Sequence, residues 1–167
     1  MASQHVKTRL ILPTDLFPNN ELLALVIYPE AIPNPTASFV ESVFASSGWE
    51  GNWRDGVYDF QHYHSRAHEV LGVYSGDATL KLGGEDGEIF EVAAGDVVVI
   101  PAGVAHKRIN ASEHFRVVGS YPPGQRPDIC YGKHGERPEA DDRIANVPLP
   151  ITDPVTGEAG PLLTVWK

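Results

Sequence analysis

The residues best suited to chemistry lie in one stretch, HYHSRAHEVLGVYSG, which places His62, His64, His68 and Glu69 within eight positions. The whole chain has seven histidines, so this is a concentration and not a background. Neutral imidazole and carboxylate together suit Fe, Mn, Ni, Cu or Zn, and ligand type alone does not choose among these ions. The first question is which of the four side chains could meet at one ion.

His64 and His68 are four apart, the spacing that lets two histidines on one helix share a zinc. The segment runs on, however, into EVLGVYSG, with Gly72, Gly76 and β-branched residues, where helix propensity is poor. The order of residues also differs from the HExxH pattern. On a strand, alternate side chains share a face. His62 and His64 then lie together with Tyr58 and Phe60, and SRAH makes a turn or an irregular crossing. Beyond it, Glu69, Leu71 and Val73 share one face, and His68, Val70 and Gly72 the other. If Glu69 points toward His62 and His64, His68 points away and is the expected bystander.

A further candidate ligand, His106, follows a PAG turn in GDVVVIPAGVAHKRIN. Pro101 cannot donate within a central ladder, so the strand breaks there. Arg108 is expected on the face of His106, where it either pairs an anionic substrate or Glu69, or sits at the mouth in water. Taken singly, a histidine or glutamate on a strand is usually solvated. The joint set of His62, His64, Glu69 and His106 is what suggests a metal, with open coordination positions left for substrate or O₂. Glu69 is also the candidate catalytic base, and Tyr58, Phe60 and Arg108 are the candidate pocket residues.

These side chains need a β framework. VYDFQHYH, EVLGVYSG, ATLKLGG, EIFEVAAG, DVVVIPAG and FRVVGSY are short runs separated by glycine-bearing turns, a pattern of antiparallel sandwiches and barrels. LLALVIY at 22–28 reads as a buried strand. Thr36 reads as the N-cap of a helix over 37–47, with Phe39, Val40, Val43 and Phe44 on its apolar face and Gly48 at its end. Gly56 and Gly95 are expected at tight turns, and Asp77 and Asp96 are expected to bond turn backbones. The polar, Pro- and Gly-rich segment after Tyr121 is expected to wrap the barrel. PLLTVW at 161–166 is expected as a last strand or apolar plug, with Trp166 in a packing role.

The chain has 167 residues, enough for one domain with its own core. We expect a core barrel at about 50–121, an N-terminal arm at 1–49 and a wrapping segment at 122–167. A net charge of −9 argues against nucleic acid or an anionic membrane as partner. The single Cys130 forms no internal disulfide, which fits a reducing compartment. The N-terminal segment lacks the apolar run of a signal peptide, and no segment approaches the roughly 18 apolar residues of a membrane span. A cytoplasmic location is expected.

The two histidine segments resemble the paired motifs of the cupin superfamily, the RmlC-like jelly-roll barrels. Gly56, His62, His64, Glu69 and Gly76 match the pattern G-x5-H-x-H-x3,4-E-x6-G. Gly95, Pro101, Gly103, His106 and Asn110 match G-x5-P-x-G-x2-H-x3-N. HYHSRAHEVLGVYSG, LGGEDGE, IPAGVAHK, SYPPGQRPD and VPLPITDPVTG further resemble the single-domain YjlB-like cupins. The resemblance implies an all-β, double-stranded barrel holding a divalent transition metal through His62, His64, Glu69 and His106. It also implies a small-molecule enzyme, with a dioxygenase as the leading reading. A metal-assisted isomerase or decarboxylase, or a non-catalytic ligand-binding or sensing barrel, are the other implied readings. A homodimer is expected by the same analogy. Nothing in the sequence places Cys130 or His134 near the metal.

Overall fold

The computed structural model describes residues 5–167, so residues 1–4 of the expected arm lie outside the described residues. Among the described residues nine strands and three helices follow in the order β1 (Lys7–Ile11), β2 (Asn20–Tyr28), α1 (Ala37–Ser46), β3 (Glu50–Asp55), β4 (Glu69–Ser75), β5 (Asp77–Leu82), β6 (Glu88–Ala93), β7 (Val97–Ile100), β8 (His106–Ala111), β9 (Arg116–Tyr121), α2 (Glu139–Ala145) and α3 (Pro161–Val165). They form a six-stranded antiparallel sheet, β1-β2-β7-β4-β9-β3, and a three-stranded one, β6-β5-β8. The fold is an all-β jelly roll. The N-terminal segment supplies strands β1 and β2 to the larger sheet as well as helix α1.

Alternation along the central strands sorts the core into two layers. Leu71, Val73, Val98, Ile100, Val117, Leu80 and Leu82 meet between the sheets. Val70, Val97, Val99 and Val118 face the other way and pack under Val40 and Phe44 of α1 and against Leu162 and Trp166. This burial on both faces explains why VVVI in β7 is apolar without interruption. The edge strands β1 and β6 are mostly exposed, Leu10 and Ile89 among their exposed residues.

Thr36 caps α1 as expected, its hydroxyl accepting from the Phe39 N–H at 3.2 Å. Gly48, in the left-handed region at φ +82°, ends the turn after it. Gly72 is what lets α1 approach the sheet. A Cβ there would stand 2.5 Å from Val40 Cγ1 and 2.9 Å from Phe44 Cζ.

The structure corrects two expected elements. VYDFQHYH is not a strand: β3 ends at Asp55, residues 56–61 carry no ladder, and only His62 and Tyr63 make isolated bridges. The reason is topological. β3 belongs to the larger sheet beside β9, whereas His62 bridges His106 of the smaller sheet, so the chain between crosses from one sheet to the other. PLLTVW is the second case, where the strand alternative gives way to a helix and the apolar-plug alternative holds. Pro161 opens the helix α3, Leu162 is fully buried, and Trp166 is buried with its indole N–H donating to the Ala24 carbonyl at 2.8 Å. Proline suits a first helical position, where no N–H is required. Gly56 also differs from expectation, since its backbone is not left-handed, whereas Gly95 has φ +103°. Asp96 bonds the backbone N–H groups of Glu30 and Ala93, both at 2.9 Å. Asp77 meets Ser112 through its own backbone instead.

Candidate metal centre

His62 and His106 face one another across an isolated antiparallel bridge, with N–H to O distances of 3.2 and 2.9 Å, so their rings lie 4.1 Å apart. Tyr63 turns to the opposite side and is fully buried, and His64 returns to the side of His62. Strand alternation therefore holds locally across 62–64 although no continuous strand exists there. His106 opens β8 after a tight turn. Gly103 has φ +93°, and a Cβ at that position would stand 2.3 Å from the Asn19 carbonyl oxygen. Glu69 is the first residue of β4 and points between the sheets.

One imidazole nitrogen from each of His62, His64 and His106 lies within 4.8 Å of the others. Glu69 adds a carboxylate oxygen, Oε1, at 3.4 Å from both His64 Nε2 and His106 Nε2. Each Nδ1 lies against a backbone carbonyl: Phe60 at 3.1 Å for His62, Asp128 at 2.6 Å for His64, and Val104 at 3.0 Å for His106. A carbonyl only accepts, so each Nδ1 carries the hydrogen and each neutral ring presents a bare Nε2. A carbonyl on the far ring nitrogen is the partner that orients a metal-bound histidine. An Nε2–metal distance of about 2.1 Å puts neighbouring ligands about 3.0–3.4 Å apart, so the rings would have to draw together to share one ion. The donor set fits a divalent transition metal.

Electrostatics favour a neutral ring at His62 and a charged one at His64, whose proton an incoming ion would have to displace. Burial, aided by the neighbouring His106, pushes His62 down to about 3, so it stays neutral. Burial opposes a charge on His64, but the Glu69 carboxylate overrides it and raises the imidazole above its ordinary value. Burial likewise opposes ionisation of Glu69, and His64 with His106 overrides it, so Glu69 remains a carboxylate.

The centre lies in the wall of a cavity of about 990 Å³. Tyr58 and Arg108 line it, Tyr58 with its ring edge-on to His62 at 5.1 Å. Phe60 stacks on Tyr58 at 4.8 Å but faces a separate hollow with Phe17 and Tyr131. His68 is turned away from the centre yet is not a surface residue. It is 1% exposed, its Nδ1 accepts from the Ala102 N–H at 2.9 Å, and its ring packs on Trp166 at 4.7 Å.

Sequence reasoning missed two neighbours. Tyr121 lines the cavity and accepts from the Trp53 indole N–H at 2.8 Å, while burial and the Glu69 charge keep its phenol protonated. Asp128 orients His64 from the wrapping segment. Its carboxylate accepts from the N–H groups of Ser65 at 2.7 Å and Arg66 at 3.1 Å and from the Ser65 hydroxyl. The Arg143 guanidinium of α2 donates to Ser65 Oγ at 2.8 Å. Cys130 is buried beside Asp128, its Sγ 3.5 Å from that carboxylate, and His134 is exposed. The 64 positions between His64 and Asp128 leave no local pattern to read.

The Cupin domain family matches residues 55–119. The uncharacterized protein YjlB of Bacillus subtilis is 40% identical over 149 residues, covering 89% of each chain. The chain belongs to the cupin family. Among solved structures, this cupin is similar to a DUF861 family protein of Thermotoga maritima, with 22% identity over 53% of this chain and 93% of that one and a TM-score of 0.37. It is also similar to acireductone dioxygenase from Bacillus anthracis with a cadmium ion in its active centre, with 16% identity over 74% and 81% of the two chains and a TM-score of 0.41. No helix among the described residues is long and apolar enough to cross a membrane.

Proposed function

We propose that this cupin is a metal-dependent enzyme acting on a small molecule, with dioxygenase chemistry as its reaction class. The observation that supports the reading is the convergence of three Nε2 atoms and the buried Glu69 carboxylate on an open cavity. His62, His64, His106 and Glu69 would hold a divalent ion, which would supply Lewis acidity and, if redox-active, a place for O₂. The three carbonyl-anchored rings keep their Nε2 atoms aimed inward, which lowers the reorganisation needed on binding, and His64 would release its proton as an ion entered. Among the described residues Glu69 is the only carboxylate touching two of the rings, and it is the group we assign to accept a proton from a bound ligand. Tyr121, protonated beside Glu69, is placed to donate one.

The test begins with protein purified without a metal-affinity tag. Elemental analysis is expected to return close to one divalent ion per chain, lost in His106→Ala. Iron would favour the dioxygenase reading, whereas zinc or no metal would count against it. Oxygen uptake that tracks substrate loss separates a dioxygenase from an isomerase or decarboxylase, whose turnover would be unchanged under argon. A substrate turned over equally well by metal-free protein would defeat the proposal, and saturable ligand binding without turnover would favour a sensing or storage role.

A further inference from the structure

Arg108 stands two residues beyond His106 on β8. Its strand partner is Leu80, a residue of the layer between the sheets, so Arg108 points inward from the strand that carries a candidate ligand. It is half-buried, and its Nε donates to the Val57 carbonyl at 3.2 Å. No hydrogen bond or ion pair uses its two Nη groups among the described residues, so the end of the guanidinium fork is left for a ligand. That fork matches the two oxygens of a carboxylate.

The other charges around the cavity are occupied or lie at its solvent side. Arg54 is exposed and held by Glu41 through contacts of 2.9 and 2.7 Å. Arg116 is exposed and donates to the Phe115 carbonyl at 2.7 Å. Asp128 is locked to Ser65 and Arg66. Asp55, Asp59 and Glu113 line the mouth and are exposed. These carboxylates, on a chain of net charge −9, disfavour a multiply charged anion such as phosphate. Below them the wall is apolar, with Val57, Leu71 and Phe115 buried and Trp53 partly so. A cavity of about 990 Å³ is also far larger than a two-carbon acid requires.

We propose that the cavity takes a monocarboxylate with an apolar or aromatic body, its acid group held by Arg108 and its body against Trp53 and Phe115. This deepens the small-molecule reading and rests on its identification of the cavity as the working site.

The test is equilibrium binding, by calorimetry, of 3-phenylpropanoate, 3-phenylpropanamide, acetate and inorganic phosphate. It is run on protein loaded with Mn(II) and on protein stripped with chelator. The acid is expected to bind about tenfold or more tighter than its amide and than acetate, in both forms. Arg108→Gln is expected to remove the preference over the amide, and Arg108→Lys to retain only part of it. Equal binding of acid and amide to the wild type overturns the proposal without any variant. So does phosphate binding tighter than the acid, acetate binding as tightly, or a folded Arg108→Gln that keeps the preference. A preference present only in Mn-loaded protein assigns the acid group to the metal and also overturns it. If the chain binds no metal while the stripped protein keeps the Arg108-dependent preference, the enzyme reading fails and this one stands.

Discussion

Asp128 offers the sharpest test of how the centre is held. Asp128→Ala removes the acceptor for two N–H groups, of Ser65 and Arg66, and for the fully buried Ser65 hydroxyl. Hydrogen bonds to a charged acceptor contribute about 1.5–3 kcal/mol each, so three at the lower end sum to about 4.5 kcal/mol, and solvent screening at the partly exposed Asp128 reduces the combined loss to about 3 kcal/mol. For a chain of this length that corresponds to a fall in Tm of about 6–12 °C. The second effect is specific to the site. With the 65–66 loop released, the 128 carbonyl no longer stays at 2.6 Å from His64 Nδ1, and the ring loses its fixed tautomer. Loss of such a partner lowers metal affinity about 10- to 100-fold. The assay pairs thermal melting with a chelator-competition titration of Mn(II) or Zn(II). Asp128→Asn, which keeps one oxygen for the two N–H groups, is expected to fall between wild type and Asp128→Ala on both measures. A large drop in Tm with metal affinity within about threefold of wild type would show that the clamp serves folding alone and would refute the argument.

Metal at about 100 times its Kd should stabilise the wild type by about 2.7 kcal/mol, a Tm rise of about 5–11 °C, and the rise should vanish in His62→Ala and His106→Ala. Gly72→Ala should cost about 1–3 kcal/mol by forcing Cβ into Val40 and Phe44, with metal stoichiometry unchanged by elemental analysis. Glu136 provides the pH test. Burial opposes its charge, but bonds from the N–H groups of Tyr131, Gly132 and Lys133 at 2.9, 2.7 and 3.1 Å prevail and lower its pKa. A lowered folded value means its stabilisation is present above the unfolded carboxylate pKa of about 4.3 and is lost as pH falls through the folded one. Denaturant titrations should therefore show wild type losing more stability than Glu136→Gln on acidification below about pH 4.3, with metal affinity at neutral pH the same in both.

The barrel strands and the grouping of His62, His64 and Glu69 were legible from alternation and short spacing, whereas His106, 37 positions beyond Glu69, joined them through the resemblance to the second cupin motif. His68 was read as turned away, and alternation does place it on the face opposite Glu69; its burial was not legible, because the cover over that face comes from Trp166, nearly a hundred positions later. The segment 56–61 looked like a strand because Val57, Tyr58 and Phe60 are good strand formers. Its crossing between sheets is decided by which partners β3 and β8 choose. Asp128 and Tyr121 escaped for the same reason, since long-range contacts leave no periodicity.

His62 and His106 find the carbonyls that steady them within their own segments, two residues back. His64 must wait for residue 128, and that residue is braced in turn by Ser65 with Arg143 behind it. During synthesis both histidine motifs leave the ribosome well before this brace exists. A metal held here would therefore meet its braced centre only late in the life of the chain, and a nascent or C-terminally clipped protein would carry all four candidate ligands and still lack the support behind His64.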